Sequence, residues 1–227
     1  MSVEILKRDS LPLGGFAGLK EHRLIIDNKV GGRSDTWDGI GNFVYLADAR
    51  FNPYGETRQH PHREIDVISV MVEGNIAHEG SLEHGSSFGR DQAQVQRAGG
   101  EGFKHNEINP DGIENRMIQL WVLPETSGEP AGYNLYDLKN GQLNRIYGGS
   151  KDQDDYMDSH TVMEVGLFDT GEHFKVEGES LIYITRGTGK LSSGEEITDG
   201  DLVKGSDLSF TASKDDVQII VIKTEEN

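Results

Sequence analysis

The chain has 227 residues, enough for one large domain or two small ones with a real core. A net charge of −17 argues against nucleic acid or an anionic membrane as a direct partner, since both are polyanions. The absence of cysteine excludes disulfides, zinc–thiolate sites, iron–sulfur clusters and thiol nucleophiles together. The stretch Met1 to Asp9 has no apolar core of signal-peptide length, and no run approaches the roughly twenty apolar residues of a spanning helix. The expected location is the cytoplasm.

In chain order, the first clear elements are short β-type runs: Phe43 to Ala47, Ile65 to Val72 and Met117 to Leu123. After them come Val162 to Phe168, Ser180 to Thr185 and Val217 to Ile222. Each is bounded by Gly, Asn, Asp or Pro, and helical apolar periodicity is scarce. Strands at this density predict an all-β sandwich or barrel. Between Pro124 and about Ser159 the chain turns polar and turn-rich, which predicts a linker over 125–159 between a domain at 1–124 and one at 160–227. The acidic run from Asp152 is not a calcium loop, because its sixth position is Met157 and its twelfth Met163; it reads as a solvated loop. Apolar strands closing on glycine turns recur on both sides of the linker (Glu73-Gly74-Asn75 and Arg186-Gly187-Thr188), as either tandem duplication of one barrel or any hairpin-rich sequence would produce.

Chemistry concentrates in two motifs, His60-Pro61-His62 and His105-Asn106-Glu107. Residues spaced i, i+2 on a strand share a face, so two such strands side by side would aim three imidazoles and one carboxylate at one point. That donor set suits Fe(II), Mn(II), Ni(II), Co(II) or Cu(II) better than calcium or magnesium, and zinc would tend to be closed off by four ligands. Competing chemistries fall away: His78-Glu79 begins no H-E-x-x-H, Gly187-Thr188-Gly189-Lys190 lacks the phosphate-loop spacing, and no G-x-S-x-G is present. His160 and His173 are isolated, so the second domain is expected to be metal-free. His84 reads as an exposed hairpin-tip residue.

His60-Pro61-His62-Arg63, Val72-Glu73-Gly74, His78, Ala98-Gly99-Gly100-Glu101-Gly102, His105-Asn106-Glu107 and Gln119-Leu120-Trp121 together resemble the pirin family of the cupin superfamily. The resemblance runs from about Phe43 to Pro124 and is weaker beyond. It implies a bicupin, two tandem jelly-roll-like β-barrels, with a divalent metal in the N-terminal barrel held by His60, His62, His105 and Glu107. Fe(II) leads among the metals, with Mn, Ni, Co, Cu and Zn as alternatives. Asp66, standing where many cupins have a ligand glutamate, is expected to support the ligands from behind. The chain departs from the pattern at Glu64, where pirins commonly carry glycine or another uncharged residue, and at Asn106 and Asp66; Glu64 is expected outside the pocket. The resemblance further implies quercetin 2,3-dioxygenase-like chemistry, with a small aromatic enediol and dioxygen as partners and Glu107 as catalytic base. Phe43, Val67, Phe103 and Trp121 are candidate walls for that substrate. The alternative is a non-catalytic, redox-responsive metal protein that binds other proteins.

Overall fold

The computed structural model describes residues 3–82 and 85–225, so His84 lies outside the described residues. Among these, helix is confined to two 3-10 turns, Arg8–Ser10 and Asn28–Val30, and no helix is long and apolar enough to cross a membrane. The strands form two compact units, Leu11–Asp137 and Met1–Ser10 with Leu138–Asn227.

In the first unit a seven-stranded antiparallel sheet runs in the order Gly132–Asp137, Gln92–Arg97, Asp66–Glu73, Arg116–Val122, Phe43–Phe51, Leu19–Ile26, Gly14–Phe16. A four-stranded sheet runs His60–His62, Phe103–Ile108, Asn75–Gly80, Ser87–Gly89. The period-2 alternation of strands decides which side chains meet. Ala49 and Phe51, Met71 and Met117 from the large sheet pack against Ile76 and Phe88 from the small one, giving an apolar floor. One step along the same strand faces the residues change to Ser69 and Gln119, and one step further to Val67 and Trp121. The interior therefore grades from apolar to polar before it reaches the histidines.

The second unit is one eight-stranded sheet. Its order is Gln142–Gly149, Ser159–Phe168, Val217–Thr224, His173–Arg186, Asp201–Ala212, Thr188–Leu191, Glu196–Thr198, with Glu4–Lys7 laid on Asp201–Ala212. Phe168, Phe174 and Phe210 fill its core, with ring centroids 5.5 Å apart in each consecutive pair.

Two of the expected boundaries are corrected. The opening residues do not belong to the 1–124 domain, because Ile5 registers with Val203 and, with Val3, packs on the phenylalanine core of the second unit. Nor is 125–159 a linker. Gly132–Asp137 extends the first unit by pairing with Gln92–Arg97, and Gln142–Gly149 opens the second by pairing with Ser159–Phe168. The division falls between Asp137 and Leu138. The turn residues that suggested a linker flank these strands rather than replace them, and the stretches 125–131, 138–141 and 150–158 stay without a strand.

Candidate metal centre

Strand His60–His62 pairs antiparallel with Phe103–Ile108, with His105 opposite His60 and Phe103 opposite His62. Pro61 and Lys104, also opposite one another, take the other face. The three imidazoles converge: Nε2 of His105 lies 3.0 Å from Nε2 of His60 and 3.1 Å from Nε2 of His62. One donor atom from each of the three falls within 4.8 Å of the others.

Hydrogen bonds behind two of the rings fix which nitrogen carries the proton. The His60 Nδ1–H donates to the Arg58 carbonyl at 2.8 Å, an oxygen turned to that position by the left-handed backbone of Arg58 (φ 64°). His105 Nδ1–H donates to Gln96 Oε1 at 3.1 Å. The Gln96 amide is itself locked, since Oε1 also accepts from Gln94 Nε2 at 3.0 Å and its Nε2 donates to His78 Nε2 at 3.2 Å. Both Nε2 atoms therefore present lone pairs to each other, an arrangement that asks for a cation between them. Protonation does not supply one: burial, then the neighbouring imidazoles, push His62 down to about 4 and His105 down to about 2. The spacing also discriminates between geometries. Nitrogens bound at about 2.1 Å and at right angles stand about 3.0 Å apart, against about 3.4 Å for a tetrahedral pair. The observed separations fit adjacent positions on an octahedral ion, so the residues present suit a divalent transition metal.

Glu107 follows His105 by two residues and is buried, but the converging group consists of the three histidines without it. Its Oε1 accepts from Ser69 Oγ at 3.3 Å and its Oε2 from Gln119 Nε2 at 3.4 Å, while its backbone N–H donates to Thr57 Oγ1 at 3.0 Å. The backbone is thus fixed and the carboxyl held by two long contacts. Burial, only partly offset by those two hydrogen bonds, pushes its pKa up to about 7.

Asp66, expected to support the ligands, pairs with a buried arginine. It is fully buried but lies across the sheet from Val67 and Ser69, with Arg97 Nε at 3.1 Å, and Arg97 in turn reaches Glu129 at 2.9 Å. Glu64 is also outside the site. Its backbone is left-handed (φ 52°), which explains the glycine of the family pattern, and its carboxylate accepts the Gly128 N–H at 3.1 and 3.3 Å.

A cavity of about 470 Å³ opens onto His60 and His62. Of the expected walls only Trp121 lines it; Phe43 and Val67 are fully buried core, and Phe103 packs behind His62 and His105 with ring centroids 5.2 and 5.1 Å away. Tyr45, stacked on Trp121 at 4.2 Å, shares the wall with Phe16, Ile26, Val30 and Arg23, none of which sequence reasoning picked out. It also missed Gln96 as the partner of His105, although Gln92-Ala93-Gln94-Val95-Gln96 carries a signal: alternating amides on a buried strand need internal partners.

A convergent trio of imidazoles in one of two β-barrel units defines the class: a bicupin with a candidate transition-metal centre. Residues 33–122 match the Pirin family model. A quercetin 2,3-dioxygenase of Escherichia coli K12 is 30% identical over 70 residues, 30% of this chain and 30% of that one, so the match spans under a third of the relative's length. Escherichia coli YhhW, a bacterial pirin whose structure was determined in complex with nickel(II), superposes with a TM-score of 0.81 at 16% identity, covering 99% of this chain and 100% of that one. A quercetin 2,3-dioxygenase from Acinetobacter baumannii superposes at 0.71 with 17% identity, covering 98% and 85%. Over residues 33–122 the chain is similar to the pirin family, and its fold is that of the two superposed structures.

Proposed function

We propose that the protein is a metal-dependent dioxygenase acting on flavonol-like or related enediol compounds. The observation that carries this reading is the meeting of three convergent imidazoles, two of them with Nε2 lone pairs facing each other, with an aromatic-walled cavity of about 470 Å³, a size that suits a small aromatic molecule. The naming of the relatives and the nickel of YhhW support it.

His60, His62 and His105 would hold the metal, with Glu107 completing the set; Fe(II) is the first candidate because a mixed imidazole and carboxylate set with open positions suits non-haem iron. Such an ion supplies Lewis acidity and a template that brings an enediol oxygen and dioxygen together. The chain's own residues do the rest. Glu107, with a pKa near 7, exchanges a proton readily at neutral pH and is the group to accept the substrate's hydroxyl proton. Gln119 and Ser69 donate to its two oxygens and steady the carboxylate once it forms. Gln96 and the Arg58 carbonyl keep His105 and His60 in the tautomer that presents Nε2. Tyr45 and Trp121 offer flat apolar surface and displace water from the ring system of the substrate.

The test is metal analysis of protein purified without added metal, followed by oxygen uptake with quercetin on the loaded protein. Uptake that vanishes in His62→Ala, with the circular dichroism spectrum intact, is the expected result. Protein that loads metal but consumes no oxygen with any enediol would overturn the enzymatic reading in favour of a regulatory metal protein.

A further inference from the structure

Among the residues lining the cavity, Arg23 carries the only permanent charge. It enters from strand Leu19–Ile26 and is held rather than free: its Nε donates to Glu21 Oε1 at 2.7 Å, and a terminal nitrogen makes an ion pair with the same oxygen. Glu21 is itself 2% exposed, and its second oxygen accepts the Tyr45 hydroxyl at 3.4 Å. A guanidinium has five N–H donors. Glu21 engages two and the Tyr45 oxygen sits against the group, which leaves further N–H donors on a side chain that lines the cavity and is 35% exposed. Pinning by Glu21 removes the rotamer freedom that a lone arginine would lose on binding a ligand, so the remaining donors are pre-organised.

The rest of the wall is flat and apolar. Tyr45 stacks on Trp121 with an interplanar angle of 20°, and Phe16 and Val30 remain 46% and 36% exposed at the cavity. Apolar side chains left in water beside a fixed cationic fork describe the complement of an aromatic acid. The chain's net charge of −17 repels anions at long range, so a local cation is what would admit one.

We propose that Arg23 sets substrate choice by receiving an anionic oxygen, carboxylate or phenolate, on a planar aromatic molecule whose other end faces the histidines. The inference rests on reading this cavity as the substrate site. The probes are 3-hydroxyflavone and its 4′-carboxylate, offered to the full-length, metal-loaded protein, with binding followed by tryptophan fluorescence and turnover by oxygen uptake. The wild-type protein should bind the carboxylate roughly ten- to a hundredfold more tightly, the range of a charge-assisted hydrogen bond. That ratio should collapse to about one in Arg23→Met. Because Arg23→Met leaves Glu21 buried without its partner, Glu21→Gln/Arg23→Met is measured beside it, with metal content and circular dichroism reporting the fold. A wild-type protein without the preference, or a double variant that keeps it, overturns the role of Arg23. Preferential binding without oxygen uptake upholds Arg23 and overturns the dioxygenase reading; uptake of oxygen without the preference does the reverse.

Discussion

The two barrels solve the same interior differently. In the second unit, phenylalanines occupy the space: a Cβ on Gly189 would meet the Phe210 ring at 2.3 Å, so even a methyl group has no room there. In the first, the apolar floor of Phe51, Met71 and Met117 gives way to Ser69, Gln94, Gln96, Gln119, Glu107 and His105, all buried or nearly so. Among the described residues, only the first unit draws three metal-binding side chains together. The difference shows what a site costs a barrel: one unit fills its interior with packing, the other gives up apolar burial for oriented donors that only a bound cation fully satisfies.

The sharpest way to break this contrast is to remove a donor. His105→Ala should abolish measurable divalent-metal binding, read by calorimetry, and with it the metal-dependent stabilisation, about 2.7 kcal/mol when the metal stands at a hundred times its Kd. Phe210→Ala is the counterpart in the packed unit. It should lower the stability of that unit by about 3–5 kcal/mol in urea unfolding, while metal affinity stays at the wild-type level. A loss of metal in Phe210→Ala would show that the units are not independent in this respect.

A smaller effect tests the support behind the ligands. Gln96→Leu keeps the volume but deletes the acceptor for His105 Nδ1–H, and should weaken metal binding by about 10- to 100-fold. The pH dependence then separates the donors. His62 and His105 are held far below the usual histidine range, so neither loses a proton when metal binds near neutrality. Glu107, raised to about 7, does lose one if it ligates. Metal affinity should therefore rise with pH through about 7, and Glu107→Gln should lower that slope by one proton. A flat wild-type profile would remove Glu107 from the ligand set. The metal-free protein responds as well. Its buried imidazoles bind fewer protons than the unfolded chain between about 6.5 and 4, so their contribution to stability is lost as pH falls through that window. Glu107 acts in the opposite direction, its protonated form favouring the fold until pH rises through about 7.

The convergence of the three histidines was legible in part because strand periodicity is two, so His60 and His62 must share a face, as must His105 and Glu107, whatever the rest of the chain does. What aligns the two strands, the registry of His105 with His60, is a long-range pairing that spacing alone does not contain. Arg23, Phe16 and Val30 were illegible for the same reason: they reach the cavity from strands and turns remote in sequence, and nothing local marks them. The misplaced boundary has a different origin. Gly132–Asp137 and Gln142–Gly149 carry few β-branched residues, and their pairing with Gln92–Arg97 and Ser159–Phe168 overrides weak local propensity. Val3 and Ile5 alternate as an edge strand should, but so short a strand holds too little signal to displace the expectation that opening residues join the domain nearest in sequence.

The smallest predicted effect concerns Glu64, where a departure from the family pattern meets a measurable compensation. A non-glycine residue at φ 52° costs on the order of 1 kcal/mol, and the hydrogen bond from Gly128 N–H to its carboxylate returns a similar amount. Glu64→Gly removes both, so stability in urea should change by less than about 1 kcal/mol. Glu64→Ala removes the hydrogen bond and keeps the strain, so it should destabilise by about 1–2 kcal/mol. The order of the two variants is the test. If alanine were tolerated as well as glycine, the tie to Gly128 would contribute nothing, and the carboxylate at this position would need another explanation than holding the Gly128–Pro130 turn against the strand that carries His60 and His62.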